Sequence, residues 1–298
     1  MLTLIAVLTD GMTYAAWIFL VGAGMTLAFG VMKILNIAHG SFYTFGAYVA
    51  ATFVGYWFAN GGSPAVSFLL LLLAAAIASV ISGLILERGL MRFLYGRDEV
   101  VIALATYAVF LMLEDVVPLI WGLEAVPAYQ PYSLLGTSSI GGLAVNRYDL
   151  CLIALAAFVA IASWAILSKT SQGLTVQAVI HDSEGAAASG INVRRVYLYT
   201  FLVSAFLGAL AGAATAPMIS VAPGVGVEVV VISFAVVVIG GLGSVPGALV
   251  GAIIVGICRA VAVNFAPYLE LFAIYGVMAA VLIVRPNGLF AAAQARKI

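Results

Sequence analysis

Residues 168–196 read SKTSQGLTVQAVIHDSEGAAASGINVRRV and form the longest polar interruption in the C-terminal half of an otherwise apolar chain. Charged side chains lie near both ends of this stretch, and long apolar segments flank it on both sides. Because charges are costly inside hydrocarbon, the stretch is predicted to lie outside a membrane that its neighbours cross. The flanking segments are therefore interpreted as membrane spans and their connections.

The overall composition supports this interpretation. Of the 298 residues, 65% are hydrophobic and 8% are charged, whereas soluble domains carry roughly 25% charged residues. A water-soluble globule of this size cannot hide so many apolar side chains, because its surface must be covered with polar groups. Membrane lipid is therefore an expected partner. The formal net charge is zero, so no basic excess points to nucleic acid.

Nine apolar segments are candidates for membrane spans, since a hydrocarbon core about 30 Å thick needs roughly 20 apolar residues. Only Lys33–His39 separates the first two, and the short seventh segment runs into the glycine-rich stretch 240–243. Irregular backbone at membrane depth must be packed in protein or line a wet cavity. We predict an all-α polytopic membrane protein with about eight to ten transmembrane helices, including short or broken ones. The segments are 11–32, 40–58, 66–86, 100–121, 149–167, 197–219, 229–243, 247–264 and 268–284.

Basic residues predict the orientation of these spans. Connections on one side contain ten basic residues, while those on the other side contain only Arg147. Since positive charge accumulates on the cytoplasmic side, the stretch 168–196 and the C-terminus are predicted to be cytoplasmic and the N-terminus to face outward. The ten are Lys33, Arg88, Arg92, Arg97, Lys169, Arg194, Arg195, Arg285, Arg296 and Lys297.

The outward connection 122–148 contains Pro127, Pro131 and paired glycines, which predict a structured turn region rather than a helix. Its aromatic residues suit either an interfacial belt or a docking surface for a partner. They are Tyr129, Tyr132 and Tyr148.

Catalytic motifs are missing from the sequence. It has no Gly-x-x-x-x-Gly-Lys-Ser/Thr loop for phosphate, and its two histidines are far apart. Cys151 and Cys258 both lie in apolar runs, which is typical of buried structural cysteines. We therefore expect no catalytic residues, no metal site and no cofactor, and the chain is not expected to be an enzyme.

Two adjacent carboxylates, Glu114 and Asp115, lie near the outer end of the fourth span. Adjacent residues point to different faces of a helix, and Pro118 is expected to disrupt the segment soon after them. These features favour a lip of an outer vestibule over a proton relay, although intramembrane carboxylates also serve as relays.

A possible gate lies where a polar break meets the second span. There Asn36 or Ser41 is predicted to cap the helix, and a helix N-terminus could present N–H groups to an anion. The alternative is a plain cap and cytoplasmic turn. A weakly similar Gly-Ser pair precedes the eighth span, and transporters often place substrate paths between repeats. The candidate path or gate residues are Asn36, His39, Gly40, Ser41, Gly243 and Ser244.

Four stretches in order resemble the inner-membrane permeases of branched-chain amino acid ABC transporters: 22–50 (GAGMTLAFGVMKILNIAHGSFYTFGAYVA), 173–195, 240–251 (GGLGSVPGALVG) and 284–290 (VRPNGLF). The resemblance covers nearly the whole chain. It implies one transmembrane permease domain over residues 1–298, folded as an ABC importer permease bundle in the bacterial inner (plasma) membrane. The implied partners are two cytosolic ATP-binding subunits, a second permease subunit in a heterodimer and a periplasmic substrate-binding protein, with a small-molecule substrate.

The resemblance also implies that residues 168–196 are a cytoplasmic coupling loop that docks on an ATPase. The superfamily pattern is Glu-Ala-Ala, then three further residues and then Gly, and Glu184 and Gly190 have that spacing. Gly185 replaces the first alanine, and the downstream Leu-Pro is missing. Acids at the start favour a short helix, and Gly190 is a suitable stop; an ordinary solvated helix is the alternative. The predicted coupling residues are His181, Asp182, Glu184, Ala186 and Gly190.

The expected function is inward transport of branched-chain or other hydrophobic amino acids by alternating access. Urea or another small amide is an alternative substrate, because urea permeases belong to the same family. Two other classes remain open from the residues alone: an ion-coupled secondary carrier and a passive channel. Neither of these accounts for the spacing from Glu184 to Gly190.

Overall fold

The structure is a computed structural model that describes residues 2–290. Long apolar helices make up most of it. Seven of them are long and apolar enough to cross a membrane. In chain order the helices are α1 Leu2–Met32, α2 His39–Ala59, α3 Val66–Leu86, α4 Arg92–Leu94, α5 Glu99–Trp121, α6 Gln130–Leu134, α7 Arg147–Lys169, α8 Ser171–His181, α9 Ser183–Ala188, α10 Val193–Thr215, α11 Val225–Gly240, α12 Val245–Phe265 and α13 Glu270–Val284.

The seven candidate spans are α1, α3 with its extension to Leu94, α5, α7, α10, α12 and α13 with the turn before it. The 21-residue α2 and the 16-residue α11 pack among them without belonging to that set. This arrangement confirms the predicted all-α polytopic fold with short or broken helices. Two basic residues of the orientation argument, Arg296 and Lys297, lie outside the described residues.

Three helices, α1, α2 and α10, form the centre of the bundle, and the other spans surround them. Glycines allow their backbones to approach closely. A Cβ atom on Gly46 would collide with the backbone of Ala209, and one on Gly212 would collide with the carbonyl of Tyr43. Since lipid provides no hydrophobic drive for helix association, such close packing supplies much of the stabilisation between spans.

The connection between α5 and α7 is the structured turn region that its prolines and glycines predict, with the short helix α6 in addition. A two-stranded antiparallel hairpin follows α6 and pairs β1 Thr137–Ile140 with β2 Leu143–Asn146. Its turn consists of Gly141 and Gly142, whose φ angles are 58° and 89°. Both values lie in the left-handed region that glycine adopts without strain, and they match a tight hairpin turn.

Candidate translocation path and coupling loop

His39, the first residue of α2, is buried deep in the bundle. Its Nε2 atom lies 3.1 Å from the carbonyl oxygen of Val21, and its Nδ1 atom lies 3.5 Å from Ser204 Oγ. Val21 precedes the end of α1 by eleven residues, and Ser204 follows the start of α10 by eleven. Each interval corresponds to roughly 16 Å of helix. Since half of a hydrocarbon core is about 15 Å, α2 begins near the middle of the membrane.

The structure of the break differs from the alternative of a plain turn and from the predicted cap at Ser41. Residues 33–38 re-enter the bundle instead of forming a plain cytoplasmic turn, and they start at Lys33 with a φ of 53°. Ser41 does not cap α2, because the helix already begins at His39. Asn36 contributes locally: its Oδ1 atom accepts a 3.1 Å hydrogen bond from the N–H of Ala38.

The re-entrant segment is held against α5 and α11. The N–H of Ile37 donates a 3.3 Å hydrogen bond to Thr106 Oγ1 on α5. A Cβ atom on Gly40 would lie 2.8 Å from the carbonyl oxygen of Gly226 and 3.1 Å from the Phe110 ring. Glycine at position 40 therefore permits the first turns of α2 and α11 to touch.

The two short helices thus start at similar depth and run in opposite directions. Helix N-termini carry partial positive charge, and a carboxylate lies where these two meet. Glu114 Oε1 accepts a 3.0 Å hydrogen bond from Thr44 Oγ1, and a Cβ atom on Gly226 would collide with both groups. Within residues 2–290, the other oxygen, Glu114 Oε2, is buried without a hydrogen-bond partner. One carboxylate oxygen is therefore available in this polar centre.

Asp115 faces the opposite way and is exposed on the surface of the chain, while Glu114 is half-buried. The prediction that the two side chains point to different faces is therefore confirmed. Glu114 lies seven residues before Trp121, the last residue of α5, which corresponds to roughly 10 Å of helix. It sits below the outer end of α5, closer to mid-depth than a lip position.

A second break separates α11 from α12 and contains the other two predicted path residues. Ser244 caps α12, since its Oγ atom accepts a 3.1 Å hydrogen bond from the N–H of Gly247. A Cβ atom on Gly30, two residues from the end of α1, would lie 3.4 Å from Gly243. Gly243 and Ser244 therefore lie at the inner end of α1, whereas His39 lies at mid-depth. The six candidate residues therefore lie at two separate places in the bundle, and their role in a path or gate stays a prediction.

The closing stretch VRPNGLF has a clear structural role at this second break. The N–H groups of Leu289 and Phe290 donate 2.9 Å hydrogen bonds to the carbonyls of Ile239 and Gly240. The last carbonyls of a helix have no partner within it. The closing stretch therefore completes the end of α11.

The polar loop 168–196, predicted to be cytoplasmic, folds as two helices, α8 and α9. Asp182 caps α9: its Oδ1 atom accepts hydrogen bonds of 3.1 Å from the N–H of Glu184 and 2.9 Å from that of Gly185. Gly190 follows the helix with a φ of 88°, and its N–H donates to the carbonyl of Ala187. The predicted short helix, its acidic start and its glycine stop are all present.

One predicted coupling residue points the wrong way for docking. Ala186 is 6% exposed and packs in the same apolar cluster as Val179 of α8 and Phe201 of α10. It cannot offer its side chain to a partner and instead anchors α9 to the bundle. The other four predicted coupling residues are exposed: His181, Asp182, Glu184 and Gly190.

An apolar contact route runs from this anchor to the mid-membrane break. The Phe201 ring packs edge-on against Phe42, with 5.7 Å between centroids, and Phe42 packs edge-on against His39 at 5.5 Å. Sequence patterns did not reveal this route, because its members are distant along the chain. Within residues 2–290, there is no group of three His, Cys, Asp or Glu residues that could hold a metal ion.

Apolar helices that break inside the bundle, together with a capped helix on the polar loop 168–196, define a polytopic membrane protein. The family model described as "Branched-chain amino acid transport system / permease component" matches residues 7–284, and the chain belongs to this family. It is thus a multi-pass inner-membrane permease component of an ABC transporter, in which ATP hydrolysis lies in separate subunits. Family membership implies ATPase and binding-protein partners in general.

Curated relatives agree with this assignment. The high-affinity branched-chain amino acid transport system permease protein BraD of Pseudomonas aeruginosa is 27% identical, covering 98% of this chain and 95% of that protein. The corresponding LivH of Escherichia coli strain K12 is 26% identical over 97% of this chain and 95% of that protein. The ribose import permease protein RbsC of Haemophilus influenzae is 30% identical over 51% of this chain and 46% of that protein. No solved structure matches the chain.

Proposed function

We propose that this chain forms half of a heterodimeric permease that imports branched-chain or other hydrophobic amino acids by alternating access. Two ATP-binding subunits power the cycle, and a periplasmic binding protein delivers the substrate. The observation that carries the proposal is near-full-length similarity to permeases named for branched-chain amino acid transport. The ribose permease covers only about half of the chain, so it supports the architecture more than a sugar substrate.

We assign the second permease subunit to the exposed surfaces of α5 and α11. Both helices expose a carboxylate on an otherwise apolar surface, Asp115 on α5 and Glu228 on α11. A charged side chain at membrane depth faces a protein interior or a water-filled cavity rather than lipid. A second subunit covering these surfaces would enclose such a cavity between the two different subunits.

The substrate path runs past the place where α2 and α11 meet. The start of α2 contributes buried polar groups there, and two of their atoms, Asn36 Nδ2 and Ser41 Oγ, have no hydrogen-bond partner within residues 2–290. A zwitterionic amino acid passing the interface would meet Glu114 and the positive ends of two helices. Most of the other side chains along the substrate path are apolar and offer few groups that could distinguish one substrate from another. The binding protein therefore selects the substrate, and the permease adds little specificity.

Coupling begins at the exposed face of α9. An ATPase that moves α9 also moves Ala186 and the apolar cluster beneath it. Through Phe201 and Phe42, that displacement reaches His39 and the start of α2. The break at Gly243 lies against Gly30 and forms the inner end of the path.

Proteoliposomes containing this permease with its partner subunits and ATP inside test the proposal. Leucine uptake should require the binding protein and ATP. Urea or acetamide uptake under the same conditions would favour the small-amide alternative. Uptake that persists without ATP and collapses with an ionophore would identify an ion-coupled carrier, and downhill flux without either component would identify a channel.

Binding to the isolated permease provides a second test. The proposal expects weak binding that hardly distinguishes one side chain from another. Micromolar, side-chain-selective binding would contradict the assignment of specificity to the binding protein.

A further inference from the structure

A deep groove lies between α7 and α10, on the side of α10 away from α2. Both helices pack on α1, which forms the floor of the groove, and α8 closes one end. Its volume is about 630 Å³, within the usual range of ligand sites of roughly 300–1,000 Å³. The inner part is lined by apolar side chains, including Ala23, Leu27, Val203 and Leu207.

The mouth of the groove is polar. Gln172, Asn192 and Arg195 line the end next to the cytoplasmic loop. Leu207 lies twelve residues beyond Arg195 on α10, which corresponds to roughly 18 Å. The groove therefore runs from a cationic mouth to an apolar end over a distance comparable with one leaflet.

Aromatic residues place the mouth at the membrane surface. Trp164 and Tyr199 flank the groove and are 54% and 66% exposed. The ammonium of Lys169 lies 4.7 Å from the centroid of the Trp164 ring. Exposed tryptophan and tyrosine with a nearby lysine are typical of the headgroup level, so the mouth lies among headgroups and the apolar end among acyl chains.

A second, strongly basic cavity of about 560 Å³ shares Asn192 and Arg195 with the groove. It adds three more arginines, Arg88, Arg92 and Arg194, against one carboxylate, Glu87. The only ion pair within residues 2–290 joins Arg259 to Glu270, so these guanidinium groups have no carboxylate partner there. Burial, followed by the nearby Glu87 carboxylate, raises the pKa of Tyr95 in this cavity, so its hydroxyl adds no negative charge.

We propose that the groove binds one anionic phospholipid of the inner leaflet. The phosphate lies at Arg195, close to the other arginines, and an acyl chain extends between α7 and α10 toward Leu207. A neutral phospholipid has the same acyl chains but no net negative charge, and free phosphate has the charge but no acyl chain. Charge complementarity at the mouth and the apolar length behind it therefore favour an anionic lipid over both.

The proposed lipid would connect the bilayer to the coupling loop. Gly173, Thr175 and Val176 of α8 line the groove, and α8 leads directly into α9 through Asp182. An occupied groove would hold α8 at a fixed height on the membrane. This inference concerns lipid binding and is independent of which solute the permease carries.

Native mass spectrometry of the full permease complex tests the site. The complex would be released from nanodiscs made of equal amounts of phosphatidylglycerol and phosphatidylcholine. We expect selective retention of phosphatidylglycerol. Arg195→Gln should lower that retention about fivefold, the effect of one basic residue near an anionic surface. Arg195→Lys should keep most of it.

Two further variants locate the lipid. Val203→Trp narrows the apolar part of the groove and should reduce retention of phosphatidylglycerol without removing charge. Arg285→Gln is the matched control, because Arg285 is an exposed basic residue at the predicted cytoplasmic end of α13 and lines neither cavity. It should leave retention unchanged.

Several results would overturn the proposal. Equal retention of both lipids would remove the anionic selectivity, and an equal loss in Arg285→Gln would show a nonspecific charge effect. Normal retention in Val203→Trp, together with displacement by millimolar inorganic phosphate, would indicate an anion site without an acyl chain. A peptide or second permease subunit found in place of lipid would assign the groove to protein contact. If Arg195→Gln aggregates, Arg195→Lys and Val203→Trp still decide the question.

Discussion

Thr44 Oγ1 donates a 3.0 Å hydrogen bond to Glu114 Oε1, which joins α2 to α5 at the point where α11 begins. The donor comes from one short helix, and the acceptor lies beside the first turn of the other. A carboxylate here balances the partial positive charge of two helix N-termini. The pair therefore stabilises an arrangement in which two helices start inside the membrane.

Removing this carboxylate should destabilise the bundle. Glu114→Ala leaves Thr44 and the N-termini of α2 and α11 without their acceptor. We expect it to lower the free energy of unfolding by about 2 kcal/mol, as for the loss of a hydrogen bond to a charged group. Glu114→Gln keeps an acceptor for Thr44 and should cost less. Thermal unfolding midpoints in one detergent compare the variants, with the exposed Asp115→Asn as control. Equal midpoints for Glu114→Ala and Asp115→Asn would contradict a stabilising role for the pair.

Replacing the histidine at the start of α2 should impair transport without disturbing docking. His39→Ala removes contacts to Val21 and Ser204 at mid-depth, so uptake is expected to fall several-fold while the ATPase still co-purifies. Ser41→Ala should show the same pattern more weakly. Tyr56→Ala, at the exposed far end of α2, is the control. Loss of the ATPase from the His39→Ala complex would show that His39 is needed for assembly of the complex rather than for the substrate path.

Removing the cap of the coupling helix should loosen it. Asp182→Ala deletes the acceptor for the N–H groups of Glu184 and Gly185. It should reduce the stability of α9 by about 1 kcal/mol. Hydrogen exchange at the backbone of residues 184–188 should then be faster, and Asp182→Asn or Asp182→Ser should restore slow exchange. Unchanged exchange in Asp182→Ala would show that Ala186 alone holds the helix.

Changing the end of the same helix should uncouple ATP hydrolysis from uptake. Gly190→Val forces a β-branched residue into left-handed backbone at a cost of roughly 1–2 kcal/mol, whereas Gly190→Asn tolerates it. ATPase activity should persist in Gly190→Val while uptake is lost, and Glu184→Arg should act similarly by reversing the charge. Ser189→Ala is the neighbouring control. Wild-type uptake in both Gly190→Val and Glu184→Arg would remove α9 from the docking surface.

Overfilling a close helix contact should prevent folding. Gly212→Val places a branched side chain against the backbone of Tyr43, a contact in which neither helix can retreat easily. The variant should aggregate after detergent extraction. Gly55→Val is the matched control in α2, because nothing lies within 4 Å of an added Cβ there. Equal monodispersity of the two proteins in size-exclusion chromatography would show that this glycine is dispensable.

Features with a local cause were predictable from the sequence. The apolar spans follow from composition, and α9 follows from an acid, a run of alanines and a glycine, all within seven residues. The turn at Gly141 and Gly142 lies in the structured turn region that the paired glycines predict, although the hairpin itself was not predicted. Each of these signals depends on neighbours along the chain, so one sequence contains enough information.

Features set by distant contacts were not predictable in the same way. The depth of His39 depends on Val21 and Ser204, and the latter is 165 residues away along the chain. The inward direction of Ala186 depends on Phe201 in another helix. Gly243 and Ser244 share sequence features with the start of α2, yet packing against Gly30 places them at a different depth. Similar local patterns therefore do not reveal whether segments share a site.

The hydrogen bonds from Leu289 and Phe290 to the end of α11 also determine the order of events during synthesis. Synthesis proceeds from the N-terminus, so α11 is complete about fifty residues before these donors are made. Until then, the carbonyls of Ile239 and Gly240 lack the partners they have in the finished protein. The end of α11 is therefore completed only after residues 289 and 290 are made, and a chain stalled before residue 289 would lack these hydrogen bonds.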